Sequence, residues 1–184
     1  MITTIIRKND RHKLYGLIVS ESDRLILILK EFDFQFDGYQ IIKKSDIMNM
    51  YDSDSNEYCE KIMRKEKLWK LRHPKWIVDL NLSNWHSVLL GIKCNVIIVE
   101  NENKEGDFHI GPIIGLTKSM VTIKCFDGIG RHGDPDRVRI SQITSCKFLD
   151  RYSTIHSKYL KPAKQGDASD RATFSLLLRR QPAK

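Results

Sequence analysis

Residues 110–148, IGPIIGLTKSMVTIKCFDGIGRHGDPDRVRISQITSCKF, decide how this chain is read, because a fainter copy of their pattern stands near its start. That copy is residues 15–50, YGLIVSESDRLILILKEFDFQFDGYQIIKKSDIMNM. Each opens on a glycine in a strand-like run, Gly16 and Gly111, with an isoleucine two positions on at Ile18 and Ile113. An alternating apolar pair follows ten and twelve positions after the glycine, Ile26 with Ile28 and Val121 with Ile123. Each copy closes on an isoleucine, Ile47 or Ile143, which lies 31 residues after the glycine in the first and 32 in the second. One insertion brings the two into register, and self-similarity at a fixed period is the mark of an internal duplication.

Alternating polarity makes the copies β structure. Around the first, strands are expected at residues 2–6, LYGLIVS, LILILKEFDFQF, YQIIKK and DIMNM, with a turn at Asp37-Gly38. Around the second they are expected at NVIIVENEN, FHIGPIIGL, SMVTIKCF, DRVRI and ITSCKF. Pro112 beside Gly111 marks an edge or a bulge, since proline cannot donate to a central ladder. That is about five strands per copy.

Between the copies the period changes. Ser53 or Ser55 can cap a helix with Tyr58, Ile62 and Trp69 toward one face, acidic Glu57 and Glu60 early, and basic Lys67, Lys70 and Arg72 late, ending before Pro74. A shorter helix is expected at LSNWHSVLLG, capped by Ser83 and stopped by Gly91, with Trp85, Val88 and Leu89 on its apolar face. The organisation expected is therefore mainly β (α+β): residues 1–51 a first β unit, 52–92 a helical linker, 93–150 a second β unit, and 151–184 a basic C-terminal tail.

With 41% hydrophobic and 29% charged residues in 184, the chain has the composition of an ordinary globular protein. No stretch approaches the roughly 20 apolar residues of a membrane span. No export signal is expected from the run at residues 1–13, so Cys59, Cys94, Cys125 and Cys146, which form no CxxC pair, are expected to be reduced residues of a cytoplasmic protein. The net charge of +8 is uneven: the excess of Lys and Arg over Asp and Glu is one in residues 1–50, one in 51–100, none in 101–150 and six in 151–184. A basic tail attracts polyanions and equally keeps a chain in solution.

The phrases FDGYQIIKKSDI and WHSVLLGIKCNVIIVENENKEGDFHIGPIIGL, with the glycine-bearing bent strands, resemble small five-stranded barrels of the Sm-like and SH3-like kind. The whole chain looks like a bacterial family of uncharacterised proteins with two such barrels in tandem. The resemblance implies two five-stranded Sm/SH3-like small barrels joined by the helical linker. It further implies binding of RNA through an Asp/Asn-bearing loop after the glycine strand and an Arg-Gly pair before the last strand. At the second place this chain has Lys43-Lys44 and Arg139-Ile140, keeping the cation and losing the glycine. At the first, SESDRL offers Asp23 without Asn, and LTKSMV offers neither.

Several motifs bear on chemistry. Gly128, Gly130 and Gly133 match GxGxxG, but Asp-Pro-Asp and a strand follow where a dinucleotide site needs a helix. The stretch DGIGRHGDPD reads as a hairpin loop, or as a phosphate cradle of backbone N–H groups beside Arg131 and His132. DSDSNEYCEKIM has Glu57 and Met63 where a calcium loop needs Gly and Glu. The six histidines pair with neither each other nor cysteine at metal-ligand spacing, so no metal site and no cofactor is expected. No nucleophile motif is present, and an enzyme is not expected. Arg64, Lys65, Lys67, Lys70 and Arg72, flanked by Trp69 and Trp76, form a secondary basic cluster that reads as a phosphate groove or as the solvated face of a helix.

The function expected is non-catalytic binding of an anionic ligand, RNA or a small nucleotide, by Lys43, Lys44, Gly130, Arg131, His132 and Arg139. Self-association is expected too, because open barrels leave edge strands to be covered. The alternative is a protein-interaction or assembly module acting through those edges and the LLL-bearing tail.

Overall fold

The last strand of the second β segment joins the two β segments into one sheet. The computed structural model describes residues 1–8, 12–71, 73–104 and 107–160. In the first segment the strands are β1 (Thr3–Arg7), β2 (Leu14–Glu21), β3 (Leu25–Phe32), β4 (Gln35–Lys43) and β5 (Ile47–Tyr51). The linker holds α1 (Asp54–Lys65), α2 (Lys75–Val78) and α3 (Trp85–Gly91). The second segment holds β6 (Ile97–Glu100), β7 (Phe108–Gly111), β8 (Ile113–Leu116), β9 (Met120–Phe126), β10 (His132–Arg139) and β11 (Ser145–Phe148), followed by α4 (Arg151–Tyr159).

The mainly β expectation stands, and the strands do not divide into two separate five-stranded sheets. They form an eight-stranded sheet, β5-β1-β2-β3-β4-β11-β6-β7, and a three-stranded sheet, β10-β9-β8, neither closed. The reason is β11, which pairs antiparallel with β6 on one side and with β4 on the other, Phe148 opposite Tyr39 and Ser145 opposite Ile42. Gln40 Nε2 donates to Ser145 Oγ at 2.8 Å across that seam, and buried Arg7 reaches Glu102 from the other segment.

Strand order nevertheless recurs. The first segment runs last-first-second-third-fourth; the second runs β11-β6-β7 and then β8-β9-β10. Between β7 and β8 lies only Pro112, whose carbonyl accepts from Lys124 N–H at 3.0 Å. The proline therefore bends one strand from the large sheet into the small one. Both repeat glycines sit where backbones meet: a Cβ on Gly16 would lie 2.3 Å from the Leu29 carbonyl oxygen, and one on Gly111 2.2 Å from that of Lys124.

One hydrophobic cluster runs through everything, from Ile2, Leu25 and Leu27 through Met63, Ile77, Val88 and Leu89 to Val121, Ile143 and Phe148. A smaller one, Ile5, Leu14, Ile26, Ile28 and Ile42, lies on the opposite face of β3, which is why residues 25–29 are all buried. Helix α1 is capped by Ser53, whose side chain accepts from Asn56 N–H. Its inward face is Asn56, Cys59 and Met63 rather than the expected Tyr58, which is 66% exposed. Asn56 and Thr4 hydrogen-bond side chain to side chain at 2.9 and 3.2 Å, fixing the helix to β1. The cap of α3 is Asn84, not Ser83.

Candidate functional site

Two short turns meet at one end of the first segment. Ser22 organises the β2–β3 turn: its N–H donates to the Leu25 carbonyl at 2.8 Å, and its Oγ accepts from the N–H groups of Arg24 and Leu25 at 3.1 and 3.0 Å. The β4–β5 connection is a 3₁₀ turn over Lys44–Asp46, and Lys44 N–H donates to the Arg24 carbonyl at 2.8 Å. The same bonds recur in the second segment. Thr117 N–H donates to the Met120 carbonyl at 2.8 Å, Met120 N–H to Thr117 Oγ1 at 3.0 Å, and Ile140 N–H to the Ser119 carbonyl at 2.9 Å.

In the first segment these turns are roofed by the linker. Ser22 Oγ also donates to the Leu82 carbonyl at 2.8 Å, and this bond, with the Asn84 cap on Ser87 N–H, brings the start of α3 against the loops. Asp23, Arg24, Leu25, Lys43, Ser45 and Trp85 then line a cavity of about 310 Å³. The Trp85 indole N–H is buried with no hydrogen-bond partner among the described residues. Arg24 is exposed and has no ion-pair partner among them, while Lys43 Nζ makes one long bond, 3.4 Å, to the Ser141 carbonyl. The cavity thus combines two available cations, one carboxylate and an aromatic wall.

The expected ligand residues do not assemble into one site. Lys43 lines the cavity; Lys44 points away from it, paired with Glu21 at 2.8 Å. Arg139 is exposed at the corresponding turn of the second segment, two residues before the Ser141 carbonyl that Lys43 reaches. Gly130, Arg131 and His132 lie at the far end of β10 from Arg139, about 20 Å away at the usual rise per residue. Their loop is self-satisfied: the Asp127 carboxylate accepts from the N–H groups of Ile129 and Arg131 at 3.0 and 2.8 Å and pairs with Arg131 Nε at 3.2 Å. Asp127 occupies the place a phosphate would take. The bond from Arg131 N–H, foremost, holds its carboxyl below the ordinary value. Much of the expected GDPD loop is strand as well, since β10 starts at His132 and absorbs a bulge before Pro135.

In the secondary cluster, Lys61 and Arg64 pair with Glu57 and Glu60 one turn back, and the Arg64 guanidinium stacks 4.2 Å over Trp69. Lys65, Lys67 and Lys70 are exposed. Trp69 packs edge-on against Phe36, and Trp76 lies tilted against Phe148. Arg72 and residues 161–184 of the basic tail lie outside the described residues. A larger cavity of about 640 Å³ opens between α2 and α3, its lining including Lys75, Trp76, Asp79, Asn81, Leu90 and Lys93.

The sequence missed Arg24, Ser45 and Trp85 as partners of Lys43; the SDR turn and the Asn84 cap were the available signals. It also missed a polar group inside the second segment. His109 on β7, Cys125 on β9 and Asp136 on β10 bring Nδ1, Sγ and a carboxylate oxygen within 4.8 Å of one another. Burial first, and the Asp136 carboxylate next, push the Cys125 thiol up to about 12. No local spacing joins three separate strands.

Comparison of the chain with protein-family models, with curated proteins and with solved structures finds no match.

Proposed function

We propose that the protein binds an anionic ligand without catalysis, a single-stranded RNA or a small nucleotide, in the cavity between the Ser22 and Lys44 turns. The observation that carries this reading is the convergence of Arg24 and Lys43 on a cavity backed by Trp85. Two cations can neutralise phosphate, an apolar wall can take a base or sugar, and about 310 Å³ lies at the lower bound for small-ligand sites. In this reading the chain is two duplicated Sm-like units joined side by side, the last strand of the second added to the fourth strand of the first. The recurring turn hydrogen bonds and strand order support that reading.

The test is fluorescence anisotropy with a labelled single-stranded RNA, competed by free mononucleotides, across a salt series. Binding should weaken steeply with salt, and Arg24→Ala and Lys43→Ala should each flatten the salt slope by about one. Binding that the double variant leaves unchanged would place the ligand on another surface, and absence of binding at low salt would end the reading.

A second reading, self-association through strand edges, is favoured by one observation. Among the described residues, strand β5 pairs only with β1 and leaves Met48 64% and Met50 38% exposed at the edge of the large sheet, while β10 is an edge of the small one. Apolar edge docking would persist at high salt, which sedimentation at two salt concentrations distinguishes from anion-bridged association.

A further inference from the structure

The interior of the second segment differs from that of the first at one end. In the first segment, Leu14, Ile26, Ile28 and Ile42 are buried together in an all-apolar cluster. Across the second, Val121, Ile123 and Val138 keep the apolar pattern, but His109, Cys125 and Asp136 replace it beside them. His109 Nδ1 lies 2.8 Å from Asp136 Oδ2, and Cys125 Sγ lies 3.1 Å from the same oxygen. The other ring nitrogen of His109, Nε2, lies 2.7 Å from Asp107 Oδ1, and Asn101 Nδ2 holds the second Asp107 oxygen at 3.1 Å.

We propose that His109 Nδ1, Cys125 Sγ and Asp136 Oδ2 form a binding site for a thiophilic divalent cation, with zinc the best chemical match. Imidazole, thiolate and carboxylate together suit zinc and its soft neighbours and are a poor set for magnesium or calcium. The distances fit. Zinc bonds of about 2.0 to 2.3 Å place tetrahedral ligand atoms roughly 3.3 to 3.7 Å apart, so the two pairs that share Asp136 Oδ2 need open by only about half an ångström, and all three atoms already lie within 4.8 Å of one another. The tautomer fits too: an imidazole that binds metal through Nδ1 carries its proton on Nε2, where Asp107 stands to accept it. That is the carboxylate–histidine support usual around metal sites, and Asn101 orients the carboxylate in turn. Access is open from the Asp136 side, whose side chain is 46% exposed against 19% for His109. This site is independent of the anion-binding cavity.

Cobalt(II) is the probe. Titrated into the reduced, metal-free protein, it should give a thiolate-to-cobalt charge-transfer band in the near ultraviolet and tetrahedral bands in the visible, saturating at one equivalent and abolished by zinc. Cys125→Ser should remove the charge-transfer band, while Cys59→Ser and Cys94→Ser keep it. Asp107→Asn should weaken the apparent affinity by about 10- to 100-fold without removing the band. A second measurement needs no variant: zinc should protect Cys125 selectively from alkylation, read by peptide mass spectrometry. Absence of the thiolate band in the wild-type protein, its survival in Cys125→Ser, or equal alkylation of Cys125 with and without zinc would overturn the proposal.

Discussion

Asp127 does for its own loop what a bound phosphate would do, accepting two backbone N–H groups and one guanidinium nitrogen. Its carboxyl is held below the ordinary 3.8, chiefly by the Arg131 N–H. A depressed acid stabilises the folded loop at pH above its unfolded value, and that contribution disappears as pH falls through the lower, folded value. The amide proton shifts of Ile129 and Arg131 should therefore be constant from neutral pH to roughly pH 4 and move together below it. Asp127→Asn should abolish that step, and amide shifts that titrate identically in the variant would refute the assignment. At this scale the sequence was informative where chemistry is local. Gly16 and Gly111 stand out from composition and spacing alone, and the structure gives them a steric reason, since a side chain at either would strike the neighbouring strand's carbonyl. The GIGRHG stretch was legible as a loop, but which group its N–H donors serve depended on Asp127 folding back onto them.

Single elements show where propensity misleads. Helix α1 was expected to run toward Pro74 and instead stops at Lys65. Lys67 adopts φ 57°, its N–H bonds to the Arg64 carbonyl at 3.1 Å, and Leu68 N–H bonds to the Met63 carbonyl at 2.7 Å. That is the helix-ending motif usually marked by glycine, and lysine in its place hides it from a reading of sequence. Replacing Lys67 by glycine should remove left-handed strain and stabilise the protein by about 0.5–1 kcal/mol in urea unfolding, less what glycine adds to unfolded-state freedom. A destabilised Lys67→Gly would show that the lysine side chain contributes more than its backbone costs. The β3–β4 turn is a parallel case. The expected Asp37-Gly38 turn lies within β4, and the hairpin turns at Asp33-Phe34, with φ 50° and 59°. Two residues with positive φ match the twist of a two-residue hairpin, and Glu31 Oε1 supports it by accepting from Phe34 N–H at 2.9 Å. Gly38, φ 69°, serves a different need: a Cβ there would lie 2.3 Å from Asp150 N.

The whole molecule is held by the β4–β11 seam and by a core that passes through both segments and the linker. Residues 1–51 and 93–150 are therefore not expected to unfold independently. Tryptophan fluorescence, reporting Trp69, Trp76 and Trp85 in the linker, and far-ultraviolet circular dichroism, reporting the sheets, should give coincident denaturant transitions. Two resolved transitions would mean that the seam couples the segments weakly. No helix among the described residues is long and apolar enough to cross a membrane.

What could be read from the sequence alone is that this protein is mainly β, that helices lie between two β-rich segments, and that Gly16 and Gly111 mark places where strands come close. These follow from periodicity, capping residues and backbone sterics, all of which act over a few neighbouring positions. Tertiary structure decided that β11 would serve both segments, that Trp85 would roof the turns carrying Arg24 and Lys43, and that His109, Cys125 and Asp136 would meet. Each depends on pairing and packing between residues far apart in the chain, such as Phe148 opposite Tyr39. Period-two alternation says which face a residue takes and nothing about which strand lies beside it.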